Sequence, residues 1–327
     1  MALSAKVACF FCSYLYEWDM HTGVFHPQIS EVFFILNQIG GAIMVIGFIG
    51  SGKVGFSLGK YFSMKGITLS GYYSEFYEDA KEASEFTNSK AYEKINDLIE
   101  DSSMIFITTP DDSIHEVWQK LSNFNLTNKI ICHTSGSLTS SIFSTINNSH
   151  AFAYSLHPIF AFSDKYNSYK NLQNAYFSIE GPESHVQQLK NFIHSLGNKS
   201  FVINKDNKAL YHLASVTVSN LVLSLLNTGC SYLSKCGLSE NDALEALSPL
   251  IQNNIDNIKT SGFVNALTGP VERNDLGTVK HHIEVIPKDD VQLYKNLSLK
   301  LLPLSEKKHK NKDYKKLKEY LGIQGGY

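Results

Sequence analysis

The chain has 327 residues, enough for about two domains of typical size. Apolar residues make up 43% and charged residues 18%, which excludes a disordered or fibrous chain. The net charge is only -2, so broad electrostatic capture of nucleic acid is not expected. The 5 cysteines are too few and too scattered for a disulfide-stapled secreted domain, and they favour a cytoplasmic location.

Residues 1–43 precede the first recognisable fold signal, which starts at Met44. They are predicted to be an extension that is disordered or not native to the protein, and they lack a signal-peptide cleavage pattern. Polar residues interrupt the apolar stretch from Val32 to Ile49, so no membrane span is predicted there. Cys9 and Cys12 have no second cysteine pair, and we expect no metal site.

A strand-length apolar run, Met44–Ile49, leads directly into a glycine-rich turn that opens a helix. The turn reads G-x-G-x-x-G, the pattern that lets a backbone approach a pyrophosphate at a helix N-terminus. The sequence therefore predicts that a dinucleotide, NAD or NADP, binds here. The predicted cofactor ligands in this stretch are Gly47, Gly50, Ser51, Gly52, Lys53 and Val54.

Two alternatives compete for the same residues. Gly47 to Lys53 also fits the opening of an NTPase P-loop, but that loop requires Ser or Thr next, and Val54 offers no oxygen for magnesium. An ordinary glycine-rich turn is the other alternative. The strand before the turn and the helix after it favour the dinucleotide.

A second strand, Ile67–Tyr73, is predicted to end beside the adenosine ribose, which places Ser74 among the cofactor ligands. The adjacent Glu75 would favour NAD through the ribose hydroxyls, whereas a serine with a nearby cation would favour NADP. The two residues indicate opposite preferences, so the form of the cofactor stays open.

Further strands are predicted up to residue 204. The strand Met104–Ile107 leads to Thr109 and Pro110, which are predicted to lie near the nicotinamide, and Asp111 and Asp112 are interpreted as helix caps. Together with the glycine motif, residues 44–204 predict an α/β domain with a Rossmann-type, doubly wound, mostly parallel sheet. The remaining strands are predicted at Lys129–Cys132, Ala151–Leu156, Tyr176–Glu180 and Ser200–Ile203.

Histidines follow two of these strands, His133 and His157, at the edge where a parallel sheet presents ligand groups. From about residue 205 the pattern changes to helical periodicity. Residues 205–322 are therefore predicted to form an all-α domain, followed by a tail at 323–327. The apolar stripe of its first helix comprises Leu210, Leu213, Ala214, Leu221, Val222, Leu225 and Leu226.

Together these elements resemble the superfamily of 6-phosphogluconate dehydrogenase, pyrroline-5-carboxylate reductase and prephenate dehydrogenase. The sequence is most similar to a branch in which a Rossmann-like domain precedes a helical domain of unknown function, described as predicted NADP-dependent oxidoreductases. The resemblance runs from Met44 to about Tyr294, and Glu75 departs from it where relatives often carry a cation. The motifs that carry it are Gly47 to Gly55, Thr109 to Asp112, His133 to Ser137, His157-Pro158, Lys208-x-x-Tyr211-His212, Ser219-Asn220 and Thr268-Gly269-Pro270 with Arg273.

The resemblance implies roles for individual residues. Lys208 and His212 match the lysine and polar residue that serve as acid/base and substrate ligand, and His157 matches a histidine near the substrate. The alternative for Lys208 is a solvated lysine in the first turn of a helix. The resemblance also implies a homodimer through the helical domain. The implied substrate ligands are Ser135, Gly136, Asn220 and Arg273.

Arg273 is the only arginine among the 29 basic residues. A planar, bidentate guanidinium binds carboxylate or phosphate in a way that lysine does not replace. Arg273 is therefore predicted to bind an anionic group. The alternative is that a single arginine occurs by chance in a sequence that otherwise uses lysine.

These observations predict an NAD(P)-dependent oxidoreductase that transfers hydride to or from a small anionic substrate in a cleft between the two domains. The alternative is a dinucleotide-binding sensor or scaffold without turnover, because no single catalytic motif is unmistakable. The sequence names no substrate.

Overall fold

The computed structural model describes residues 16–19, 24–27, 44–144 and 146–322. Within the predicted extension it describes two short strands, β1 (Tyr16–Asp19) and β2 (Val24–Pro27), which pair antiparallel. The rest of residues 1–43, including Cys9 and Cys12, lies outside the described residues, as does the predicted tail at 323–327. The role of this extension stays a prediction.

An eight-stranded sheet forms the centre of the first compact unit. Its order is β10-β9-β8-β7-β6-β3-β4-β5, and every neighbouring pair is parallel except β8 with β9. The predicted Rossmann-type, mostly parallel sheet is confirmed. The strands are β3 (Val45–Ile49), β4 (Thr68–Tyr73), β5 (Lys90–Ala91), β6 (Met104–Ile107), β7 (Ile130–His133), β8 (Phe152–Ile159), β9 (Tyr176–Glu180) and β10 (Lys199–Val202).

Apolar clusters lie on both faces of this sheet. Phe48 belongs to one cluster and its neighbour Ile49 to the other, because successive side chains of a strand point to opposite faces. Each cluster packs beneath helices, which is the doubly wound arrangement predicted. The helices of this unit are α1 (Lys53–Met64), α2 (Tyr77–Thr87), α3 (Ile95–Asp101), α4 (Asp111–Leu121), α5 (Val186–Ser195) and α6 (Lys208–Val218).

Strand β8 is where the sheet changes direction. Its first half pairs parallel with β7 and its second half pairs antiparallel with β9. Ser155 stands at the change, opposite His133 on one side and Glu180 on the other. Three polar residues therefore lie in one row across three neighbouring strands.

The chain divides into compact units at Val222 and Leu223, later than the sequence boundary at residue 204. The second unit is helical as predicted, around a core that includes Val279 and Leu302. Its long helix is interrupted at Gly262, where φ is 75° and ψ is 166°. The remaining helices are α7 (Asn220–Lys235), α8 (Glu240–Ala266), α9 (Pro270–Arg273), α10 (Leu276–Val285), α11 (Val291–Lys308) and α12 (Lys315–Gly322).

The apolar stripe predicted after residue 205 is helical but exposed. Leu210 and Leu213 on α6 and Leu221 on α7 each leave more than half of their surface open, at 68%, 55% and 51%. The backbone breaks between these helices at Ser219, whose φ and ψ are -112° and -80°. By length and composition alone, the stretch Lys205–Lys235, with a mean hydropathy of 1.5, could cross a membrane.

Candidate functional site

The glycine-rich turn after β3 is packed against the end of β6. Gly50 has a φ of 99°, and a Cβ there would lie 3.0 Å from the backbone of Thr108 and Thr109. Thr108 donates from Oγ1 to the Gly50 carbonyl at 2.7 Å. Only glycine combines this φ with so close an approach. The turn is therefore held rigidly in place at the edge of the sheet.

The open side of this turn has the properties of a phosphate cradle. A Cβ on Gly52 would meet no atom within 4 Å, and Gly52 begins α1 without a side-chain cap. Ser51 Oγ and Thr109 Oγ1 are buried and have no hydrogen-bond partner among the residues that the structure describes. Buried hydroxyls without partners are costly, so these two atoms fit a polar ligand in the cradle.

At the end of β4, Ser74 is half-buried and Glu75 is exposed. The pKa of Lys120 is raised, mainly by its hydrogen bond to Glu116 and to a small extent by Glu75. A carboxylate and a cation thus both lie near the predicted ribose position. The geometry at this end supports neither form of the cofactor over the other.

Lys208, the first residue of α6, is almost completely buried, with 1% of its surface exposed. Its Nζ donates to Ser155 Oγ at 2.6 Å. Burial lowers the pKa of Lys208 to about 8, and the charges of Glu180 and Asp111 offset part of that fall. The alternative of a solvated surface lysine is thereby excluded.

His157 lies two residues beyond Ser155 on β8, on the same face of the strand. Its Nδ1 is 2.5 Å from the hydroxyl of Tyr211. Burial, followed by the positive charge of Lys208, lowers the pKa of His157 to about 3. The imidazole is therefore neutral at physiological pH.

Gly136 provides the space for two imidazoles. A Cβ at this position would lie 2.8 Å from His157 Nε2 and 2.9 Å from His212 Cδ2. His212 is one turn after Lys208 on α6, so both side chains lie on one side of that helix. The structure thus brings the predicted residues Gly136, His157, Lys208 and His212 together.

The loop that carries Gly136 is tied to α4. Asp111 accepts from Ser135 Oγ at 2.7 Å and from Ser137 Oγ at 2.8 Å. Its carboxylate does not cap α4, whose first turn follows Pro110 without a side-chain cap. The interpretation of Asp111 as a helix cap was therefore wrong, because the helix begins at Asp111 itself and Pro110 holds the cap position.

Two buried residues hold the same loop from the sheet. Glu180 accepts from the backbone N–H of Ser140 at 2.6 Å and from its hydroxyl at 2.9 Å. His133 accepts the Ser135 N–H at Nδ1, and its Nε2 lies 3.2 Å from the Thr139 carbonyl oxygen. Burial lowers the pKa of His133 to about 4. His133 is thus a neutral anchor of the loop.

The sequence interpretation missed Ser155, Tyr211 and Glu180 as members of the cluster. Strand periodicity gave a signal for Ser155, which shares a face with His157. Helix periodicity gave one for Tyr211, three residues after Lys208. Glu180 carried no local signal, because its contact with Ser140 depends on how the strands pair.

Two predicted substrate ligands are not joined to this cluster by any described contact. Asn220 is exposed, and its side-chain oxygen accepts from Ser219. Arg273 belongs to the second unit, where it is exposed at the end of α9 and its turn is fixed by the pairing of Glu272 with His309. No group of three or more potential metal ligands occurs within the described ranges.

Domain-family models match two parts of the sequence. A Rossmann-like domain matches residues 35–158, and a domain of unknown function, DUF2520, matches residues 175–301. The sequence thus matches a Rossmann-like domain followed by a DUF2520 domain. The resemblance inferred from the motifs is thus confirmed. No curated protein matches the sequence.

Solved structures share this two-domain fold. Protein TM1727 from Thermotoga maritima is 26% identical, with a TM-score of 0.65 over 81% of this chain and 100% of that one. A Bacteroides fragilis protein provisionally assigned as an NADP oxidoreductase is 20% identical, with a TM-score of 0.64 over 80% and 98%. Pyrroline carboxylate reductase from Plasmodium falciparum, with NADP bound, is 14% identical, with a TM-score of 0.54 over 80% and 98%.

Proposed function

We propose that the protein is an NAD(P)-dependent oxidoreductase that transfers hydride to or from a small anionic substrate. The observation that carries the proposal is the buried Lys208 amine, hydrogen-bonded to Ser155 at the sheet edge that also carries the glycine-rich turn. The NADP-bound reductase with the same fold supports the choice of cofactor.

The cofactor is assigned to the cradle formed by Gly50, Ser51, Gly52 and Thr109. Backbone N–H groups at the start of α1 would hold the pyrophosphate, and the two unpartnered hydroxyls of Ser51 and Thr109 would gain hydrogen bonds to it. When bound, the dinucleotide supplies or accepts the hydride.

Lys208 is proposed as the group that exchanges the accompanying proton. Hydride transfer at a carbon bound to oxygen or nitrogen requires a proton partner, and the best partner has a pKa near the working pH. With its pKa lowered to about 8, Lys208 is mostly protonated at pH 7 yet releases its proton far more readily than an exposed lysine. Ser155 fixes the direction of the amine.

The positive charge of Lys208 also favours a substrate that carries negative charge. Arg273 is proposed as a second anion ligand, because its guanidinium is exposed and the one charge interaction described for it is with the neighbouring Asp275. Its turn is braced, since Asn274 donates to the Asp313 carbonyl at 2.8 Å. A braced turn presents a side chain with less loss of entropy on binding than a mobile one.

The test has two stages. Titration of the protein with NADH and NADPH, followed by nicotinamide fluorescence, should show binding of at least one, and binding of neither would contradict the proposal. Turnover is then measured on a panel of hydroxy acids, imino acids and aldehydes. Binding without turnover on any of them would favour the sensor or scaffold.

We also propose that a second copy of the chain covers the exposed apolar side chains of α6 and α7, as the resemblance implies. Exposed patches of this kind mark protein or membrane contacts. Lys208 and Cys230 within the same stretch are buried in protein, which favours a protein partner over a bilayer.

A further inference from the structure

Tyr211 and His157 form a pair that the proposed proton transfer does not use. The phenol approaches Nδ1 of the imidazole at 2.5 Å, and the two rings are nearly perpendicular, at 87°. A hydrogen bond at one ring nitrogen determines which nitrogen carries the proton. The direction of this bond therefore decides what His157 offers on its other side.

The acid strengths of the two groups determine that direction. A phenol O–H is a stronger acid than the N–H of a neutral imidazole, and the imidazole nitrogen is the stronger base. Ser178, opposite His157 in the register of β8 and β9, is fully buried. Its Oγ forms no hydrogen bond with any described residue, so Ser178 does not compete for the phenol. The phenol is therefore the donor and Nδ1 of His157 the acceptor.

The reverse bond, from Nδ1–H to the phenol oxygen, would leave the phenol proton without a hydrogen-bond acceptor among the described residues. An unsatisfied buried donor costs more than an unused lone pair on a hydroxyl. The favoured hydrogen bond therefore runs from the Tyr211 hydroxyl to His157 Nδ1.

In this arrangement Nδ1 is an acceptor and the ring proton sits on Nε2. Nε2 lies against Gly136, where an added Cβ would be only 2.8 Å away, and no described residue accepts a hydrogen bond from it. Lys208, whose Nζ lies 5.2 Å from the centroid of the Tyr211 ring, adds a positive charge that opposes a second proton on the imidazole.

We propose that Tyr211 is a positioning residue that fixes His157 as the neutral Nε2–H tautomer, and that His157 donates this hydrogen to an oxygen of the substrate. The ligand oxygen belongs to a carbonyl or carboxylate group. The inference rests on the proposed function for the identity of its ligand, but not for the state of the imidazole. Lys208 moves the proton, whereas His157 orients the substrate without changing its own protonation.

The tautomer can be measured in the free protein by long-range proton–nitrogen NMR on histidine labelled with ¹⁵N. The His157 signal, identified by its loss in His157→Gln, should show a proton on Nε2 and should not titrate between pH 5 and 8. A proton on Nδ1, or titration in that range, would overturn the proposal. This measurement needs neither cofactor nor turnover, so its outcome is independent of the proposed reaction.

Variants test the role of the phenol. Tyr211→Phe should leave a mixture of His157 tautomers. The matched control is Tyr294→Phe, which removes a phenol from another histidine, His282, at 2.9 Å and should leave the His157 signal unchanged. An unchanged His157 tautomer in folded Tyr211→Phe would refute the positioning role. If that variant does not fold, the tautomer measured in the wild-type protein still tests the proposal.

A kinetic comparison separates a donor from an acid. His157→Gln keeps an N–H donor near the position of Nε2, whereas His157→Leu removes it. For a substrate found in the panel, kcat/KM should fall about tenfold further in His157→Leu than in His157→Gln, the range for one hydrogen bond. Equal losses in both variants would mean that His157 exchanges protons, contrary to the proposal.

Discussion

Lys208 Nζ lies 2.6 Å from Ser155 Oγ, although 53 positions separate the two residues in sequence. The contact joins the first turn of α6 to the point on β8 where parallel pairing gives way to antiparallel pairing. A lysine in such a place is almost wholly shielded from bulk water, and within the described part of the chain its one hydrogen-bond partner is a hydroxyl. Its chemistry is accordingly set by the protein rather than by solvent.

Lys208→Met should abolish most of the turnover. The change keeps a long unbranched side chain but removes the proton, so kcat should fall by about 10²- to 10⁴-fold, the contribution of a positioned acid or base. Dinucleotide affinity, measured by nicotinamide fluorescence, should stay the same. If the variant retained the wild-type kcat, a group other than Lys208 would have to exchange the proton.

The same variant should alter the pH dependence of stability. The pKa of Lys208 is about 8 in the native state against 10.5 as its ordinary value, so the unfolded chain holds a proton that the native protein releases between these values. The contribution of Lys208 to stability is therefore constant below pH 8 and rises from pH 8 to 10.5.

Lys208→Met removes that dependence. Its stability relative to wild type, from urea unfolding, should be highest at pH 7 and should decline steadily above pH 8. The charged or titratable groups around the amine are present in both proteins and largely cancel. They are Glu180, Asp111, His133, His157 and Tyr211. A difference that does not change with pH would show that the native amine is not perturbed.

Gly52→Ala tests the phosphate cradle. The φ of Gly52 is -69°, which alanine adopts freely, and the added methyl group meets no protein atom, so the melting temperature should change little. The methyl group would occupy space assigned to the pyrophosphate, and dinucleotide affinity should fall at least tenfold. Gly229→Ala, which makes only an ordinary contact at 3.7 Å, is the matched control. If the affinity of Gly52→Ala for the dinucleotide were unchanged, the cofactor would not bind at this turn.

Much of this fold could be predicted because its strands are short apolar runs bounded by turn residues. The glycine turn was recognisable from the G-x-G-x-x-G pattern between an apolar strand and a helix, and the structure shows why Gly50 is required there. The antiparallel pairing of β8 and β9 was not predictable, since the residues of an apolar strand do not indicate whether its neighbour runs parallel or antiparallel to it.

The site was predictable only in part. Lys208, His157 and Gly136 were found by resemblance, but Ser155 and Glu180 were not, because their roles arise from pairing between distant segments. The break at Ser219 was also missed, since the apolar period continues through it. Local patterns predict elements, whereas contacts across the sheet depend on the completed fold.

Arg273→Lys tests the second proposed anion ligand. The change keeps the charge but loses the bidentate geometry, so binding of an anionic substrate should weaken by about 1.5 to 3 kcal/mol, the range for a hydrogen bond to a charged group. Substrate KM, dinucleotide affinity and melting temperature are measured together. A fall in cofactor affinity would show that Arg273 binds a cofactor phosphate instead. If none of the three quantities changed, Arg273 would have no role in binding or stability.

The exposed stripe of α6 and α7 predicts a homodimer. Light scattering should give twice the chain mass at micromolar concentration, and Leu221→Ser with Leu225→Ser should lower it toward one chain mass. Lys259→Ser on an exposed helical face is the control. A monomer mass for the wild type would refute the dimer, and recruitment of the wild type to lipid vesicles would favour a membrane.

Because α6 ends before Val222, the first compact unit contains the phosphate cradle and Lys208, Tyr211 and His212. Under the proposed function, the kind of reaction is then specified by one unit, while Arg273 on the other unit affects only which anion is accepted. Substrate range and reaction chemistry are thus separately variable traits. A change of substrate in descendants of this chain could arise by substitutions after residue 222, with the proton-transfer network left untouched.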